Sequence, residues 1–175
     1  MKNILATVTA FFALVGMAAA ADLPRRTAPP APAVESFKNW YVGATAGGAI
    51  GNADVFGNSR PSIGVVGGYQ YNRNFGAEIT YDYFFQGNGA NAGQTLFANG
   101  VAGYPISGTI FTPYILAGVG YGWDQFGNTG LFNVGAGLRT QLTPSFDFDL
   151  RYRYINSWEG NRQANVVTGG INYKF

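Results

Sequence analysis

The strongest constraint on this chain is a two-residue alternation that sorts its charged side chains from its apolar ones. From Phe146 to Tyr154 one face reads Phe146, Phe148, Leu150, Tyr152, Tyr154, and the other reads Asp147, Asp149, Arg151, Arg153. Between Phe75 and Phe85, the residues Phe75, Ala77, Ile79, Tyr81, Tyr83 and Phe85 stand opposite Gly76, Glu78, Thr80 and Asp82. Period two belongs to extended strands, whose successive side chains point to opposite sides. Glycine, at 26 of 175 residues, is too dense for long helices. The same reading along the chain gives eight strands, at 39–50, 61–71, 75–85, 94–104, 111–123, 131–142, 146–155 and 164–175. The connections 51–60, 86–93, 124–130 and 156–163 are rich in Gly, Asn, Asp and Ser, and those at 72–74, 105–110 and 143–145 are shorter. An even strand number with alternating long and short connections predicts an all-β fold, an eight-stranded antiparallel up-and-down transmembrane β-barrel.

Alternation alone does not say which face is inside; size does. Eight strands enclose an interior just wide enough to be filled by side chains. One face carries the bulky set, among them Trp40, Val65, Ile79, Ile115, Val134, Leu150, Tyr152 and Ile171, while the other carries glycines such as Gly43, Gly68, Gly118, Gly120, Gly137 and Gly170. From residue 37 on there are fifteen charged residues, eight basic and seven acidic. Eight of them, Glu78, Asp82, Arg139, Asp147, Asp149, Arg151, Arg153 and Lys174, share the glycine face. The remaining seven, Lys38, Asp54, Arg60, Arg73, Asp124, Glu159 and Arg162, are placed by this reading in turns, loops or just before the first strand. A lipid-facing arginine at the bilayer midplane costs about 2–4 kcal/mol, so a charge-free apolar face is what lipid contact requires. A soluble core would not accept eight ionic groups. The eight inward charges, four acids and four bases, are expected to form a neutral network that plugs the lumen. Aromatics gather at both ends of the apolar face, as Trp40, Tyr71, Phe75, Tyr104, Phe111, Phe146 and Phe175 at one and Tyr83, Phe85, Trp123 and Tyr154 at the other, which reads as two interfacial girdles.

The leader has the three parts of a secretory signal peptide: Lys2 ahead of an apolar run, Ile4 to Val15, and then small residues through Ala18-Ala19-Ala20. The expected organisation is a signal peptide at 1–20, a Pro/Ala-rich periplasmic linker at 21–36 and a barrel at 37–175. Composition narrows the chemistry. With neither cysteine nor histidine, thiol catalysis, disulfides and histidine-based acid–base or metal devices are excluded. A net charge of +2 predicts no nucleic-acid partner. Asp147 and Asp149 lie on one face, as a glycosidase pair might, but Arg151 and Arg153 continue that face and turn it into an ion-pair network. Gly118-Val119-Gly120-Tyr121-Gly122 lies within a strand with no helix after it, so it fails the context of a dinucleotide fingerprint. No catalytic residue, cofactor or metal site is expected.

The last eight residues, Thr168-Gly169-Gly170-Ile171-Asn172-Tyr173-Lys174-Phe175, resemble the C-terminal signal of outer-membrane barrels. Trp40-Tyr41-Val42-Gly43, Phe75-Gly76-Ala77-Glu78, the run Pro113 to Tyr121 and Tyr152-Arg153-Tyr154 resemble the small eight-stranded outer-membrane proteins of the opacity-protein and OmpA-barrel type. Ala21-Asp22-Leu23-Pro24 followed by a Pro/Ala linker looks like the alphaproteobacterial surface-antigen branch. This resemblance implies export through the general secretory pathway and residence in the outer membrane with both mature termini in the periplasm. It also implies an assembly signal at Thr168, Gly170, Tyr173 and Phe175. The partners it implies are outer-membrane lipid and lipopolysaccharide, the barrel-assembly machinery and periplasmic chaperones. A structural or surface role is the function it suggests. The alternatives are a narrow channel for small solutes or ions, and an adhesin or ligand-binding protein acting through its loops and their aromatics Phe56, Phe126 and Trp158.

Overall fold

The computed structural model describes residues 39–50, 60–85, 92–124, 127–159 and 163–175. They form eight strands: β1 Trp40–Ile50, β2 Arg60–Gln70, β3 Phe75–Phe84, β4 Gly93–Gly103, β5 Phe111–Asp124, β6 Gly127–Gln141, β7 Phe146–Ser157 and β8 Gln163–Lys174. Each strand pairs antiparallel with its sequence neighbours, and β1 closes the ring on β8 through pairs from Tyr41↔Lys174 to Ile50↔Asn165. Closure leaves no unpaired sheet edge, which in a hydrocarbon layer is the only way for strands to satisfy their backbone groups.

Exposure follows residue parity, and it runs opposite to a water-soluble protein. Along β7, Leu150 is 48% exposed while its neighbour Arg151 is 2% exposed. Glu78, Asp82, Arg139, Asp147, Asp149 and Arg153 are all buried, whereas Val65, Ile79, Ile115, Val119 and Ile171 are exposed. The charged face is therefore the lumen and the apolar face is the outer surface. Rings meet at both ends of that surface: Trp40 on Tyr69 and Phe146 on Tyr173 at one, Tyr83 on Phe85 and Tyr121 on Trp123 at the other.

The end that carries the first residue of β1 and the last of β8 is here the termini end. Its turns are built by side chains that cap the backbone. Asn72 Oδ1 accepts from the amides of Asn74 and Phe75, both at 2.8 Å, and Thr143 Oγ1 accepts from those of Ser145 and Phe146 in the same way. Between β4 and β5 the Thr109 amide reaches the Ile106 carbonyl, and Gly108 supplies the positive φ of 77° that a type II turn needs at its third residue.

Three expectations are corrected. Arg60 is not a loop residue. Ala49 pairs with it in the β1–β2 ladder, and its parity turns it into the lumen with Ser62, leaving it 4% exposed. The segment 124–130 is not a loop either. Asp124 pairs with Gly127 and Trp123 with Asn128, so only residues 125–126 separate β5 from β6. Glycine and asparagine there mark a hairpin whose strands stay paired almost to its tip. With 104–110 spanning the other end, connection length does not alternate strictly. Finally, the inner face is not glycine and charge throughout. Toward the far end it carries an apolar part, with Ala49, Phe84, Phe97, Leu131, Ile155, Ala164 and Val166 packed into one buried cluster beside Arg60 and Ser62. The expected signal peptide at 1–20 and linker at 21–36, with Phe56, Phe126 and most of the expected loop at 86–93, lie outside the described residues.

Candidate functional site

The lumen is the place where polar chemistry is concentrated, and β7 runs through its centre. Arg151 spans it to β3, which lies on the opposite side of the ring. Its Nη1 bonds Glu78 Oε1 and its Nη2 lies 3.3 Å from Glu78 Oε2, a two-pronged pairing of guanidinium and carboxylate. The same guanidinium holds Asp149, with Nε 3.2 Å from Oδ1. Asp149 in turn receives Arg139 Nε at 3.4 Å and the Tyr114 hydroxyl at 2.7 Å. The Tyr41 hydroxyl donates to Glu78 Oε2 at 2.8 Å. Two acids, two bases and two tyrosines thus form one neutral cluster. The Arg139 guanidinium lies over the Tyr41 and Tyr114 rings, 4.8 and 5.2 Å from their centroids.

A second group sits one step further from the termini end. Arg153 Nη2 pairs with Asp82 Oδ2 at 2.9 Å, and Nη1 reaches Thr80 Oγ1 at 3.5 Å. Asn99 Nδ2 donates to Thr80, and Asn133 Nδ2 donates to Asn99 at 2.8 Å, carrying the chain of contacts around the lumen. At the termini end Lys174 Nζ pairs with Asp147 Oδ1 at 2.8 Å, with the lysine side chain 17% exposed. All eight charges expected in the lumen are there. The structure divides them into three groups, and Arg60 joins them at the far end.

Glycines make room for this filling. Tyr41 pairs across the sheet with Gly68, Tyr114 with Gly137, and Phe97 with Gly120. A Cβ at any of these three glycines would overlap the ring opposite. A closed eight-stranded ring has no spare width, so a large side chain on one strand requires the smallest on the next.

The sequence reading placed Thr80 on the lumen face but missed Tyr41, Tyr114, Asn99 and Asn133, and it missed the apolar cluster. Parity was the available signal: Tyr41 shares a face with Gly43, and Phe97 shares one with Asn99. Of the expected assembly signal, Thr168 is buried in the lumen, Gly170 lies on the lumen side against Thr45, and Tyr173 and Phe175 project outward. Trp158 is exposed at the far rim and packs on Phe132, with ring centroids 5.4 Å apart. Among the described residues no group of three or more carboxylates is arranged to hold a metal ion.

Residues 7–175 match the family described as outer membrane protein beta-barrel domain. The chain is 28% identical over 173 residues to outer membrane protein A of Escherichia coli O157:H7, an alignment covering 83% of this chain and 50% of that protein. It therefore spans about half the length of that curated relative. Among solved structures, Neisserial surface protein A superposes with a TM-score of 0.66 at 18% identity, covering 78% of this chain and 97% of that one. The N-terminal β-barrel domain of Pseudomonas aeruginosa OprF gives 0.59 at 17% identity, with 77% and 97% covered. At that identity the structures speak for the fold, and they do not single out the narrower surface-antigen branch.

Proposed function

The chain belongs to the outer-membrane β-barrel domain family and so to the outer membrane, and we propose that it serves there as a closed barrel with a structural, surface-facing role. The observation that carries this reading is the double closure of the lumen. Ion pairs bridge β7 to β3 across the interior, and the apolar cluster around Phe97 and Leu131 fills the far end. Water and ions would have to cross both a neutral charge network and an apolar constriction. The test is single-channel recording of the refolded protein in planar bilayers. The expected trace shows no conductance steps above that of the bare bilayer, and regular steps would overturn the reading in favour of a narrow pore. That second reading draws on Asn133 Oδ1, Thr168 Oγ1 and both side-chain polar atoms of Asn172, buried in the lumen without a partner among the described residues. Such groups suit water.

The route and orientation belong to the same proposal. The leader at 1–20 directs export, and Thr168, Gly170, Tyr173 and Phe175 form the assembly signal that the barrel-assembly machinery receives after periplasmic chaperones. Outer-membrane lipid and lipopolysaccharide surround the apolar face. The termini end faces the periplasm and the far end faces outward. No catalytic role is assigned, since the lumen's acids are all held by bases or tyrosines. Cysteine labelling reads the orientation against a cysteine-free background. On whole cells an impermeant maleimide should modify Glu159→Cys and leave Asn74→Cys untouched; the opposite pattern would invert the topology.

A further inference from the structure

The lumen network leaves the Arg139 guanidinium half used. Arg139 spends Nε on Asp149 at 3.4 Å, and its Nη2 is buried with no partner among the described residues. Its side chain is 9% exposed. A guanidinium offers five donors, and a buried donor left unmade is costly. Arg139 lines a small cavity at the termini end, shared with Gln70, Arg73, Thr112 and the rings of Tyr41 and Tyr114. Two arginines and no carboxylate line it among the described residues. The Tyr41 and Tyr114 hydroxyls point their protons at Glu78 and Asp149. That leaves the Arg139 guanidinium as the strong donor among the buried residues that line the cavity. Arg73 stands exposed at the rim with no ion-pair partner among the described residues.

We propose that this mouth binds a small oxyanion end-on. The cavity measures about 20 Å³, room for roughly one water-sized group. One oxygen of a phosphate or carboxylate therefore enters against Arg139, and the remaining oxygens stay at the rim beside Arg73. The charge balance favours this. Glu78 and Asp149 are offset by Arg139 and Arg151, and Asp147 by Lys174, so Arg73 supplies the uncompensated positive charge that draws an anion in. Phe75 also lines the cavity while lying 59% exposed on the lipid-facing surface. The site thus opens at headgroup level, and the oxyanion can be a free ion or the phosphate of an anionic lipid. The proposal stands whether or not the lumen conducts.

Inorganic phosphate is the probe, titrated calorimetrically into the full chain refolded in a non-ionic detergent free of phosphate. Saturable binding is expected. Arg139→Gln should weaken it by about tenfold or more, since a charge-assisted pair is lost. Arg73→Gln should weaken it by roughly threefold, the scale of an exposed charge contact. Because Arg73 sits in an exposed turn, its variant tests the site even if Arg139→Gln fails to fold, which gel mobility before and after heating reports. In vesicles, loss of phosphate binding when phosphatidate replaces phosphatidylcholine assigns the site to a lipid headgroup, and retained binding assigns it to the free ion. No saturable heat with the wild-type chain, or equal affinity in wild type and Arg73→Gln, overturns the proposal.

Discussion

The two ends of the lumen fill the same narrow space by opposite chemistry. At the termini end Arg151, Glu78, Asp149 and Arg139 interlock through ion pairs with tyrosines against their outer sides. Toward the far end Phe84, Phe97, Leu131, Ile155 and Val166 fill it chiefly by apolar packing, with Arg60, Ser62 and Ser157 buried beside them. Both obey the ring's constraint on width, shown by the glycines opposite Tyr41 and Phe97. They should respond differently to mutation. A charge network is costly to break and contributes little net stability when whole, because each ion has been taken from water. Its worth lies in fixing one register, since β7 shifted by one residue would present Leu150 and Tyr152 to Glu78. The apolar end should lose stability in proportion to the volume removed.

Breaking the charged end gives the largest effect. Arg151→Leu leaves Glu78 and Asp149 without their shared base and should cost about 3–5 kcal/mol by urea unfolding in lipid vesicles. Adding Glu78→Gln should restore much of it, because Arg151 grips both oxygens of each carboxylate, but without it Glu78 keeps only the Tyr41 hydroxyl while Asp149 keeps Arg139 and Tyr114. Equal stability of the single and double variants would mean that Glu78 is not the main partner. Trimming the apolar end sharpens the contrast from the other side. Ile155→Val should cost about 0.5–1.5 kcal/mol with no rescuing partner. A loss as large as that of Arg151→Leu would show that the two ends do not differ as argued.

What the sequence reveals follows from how alternation carries information. Where large apolar residues face glycine or charge, as along Phe146 to Tyr154, the strand and its lipid-facing side are both legible. Where both parities are bulky the pattern is silent. Phe84 stands between Tyr83 and Phe85, and Tyr41 between Trp40 and Val42, so bulk declares neither as a lumen residue and only their parity with Asp82 and Gly43 does. Arg60 is followed by Pro61 and preceded by Gly, Asn and Ser, a context that reads as loop until pairing with Ala49 draws it into β2. The partner choices lie further out of reach. Arg151 sees carboxylates at 78, 82, 147 and 149, and only closure of the ring, which sets β3 opposite β7, selects Glu78 and Asp149 and leaves Asp82 to Arg153.

The central claim is the facing itself: charge inside, apolar surface against lipid. Leu150 tests it most directly, since it lies between two buried acid–base positions and is half exposed on the outer surface. Replacing it by arginine would set a charge in the bilayer without touching the lumen. In urea unfolding from lipid vesicles, Leu150→Arg should lose about 2–4 kcal/mol if it sits near the midplane, with no recovery when a lumen carboxylate is neutralised. Stability unchanged from wild type would contradict the facing, and with it the membrane-spanning barrel.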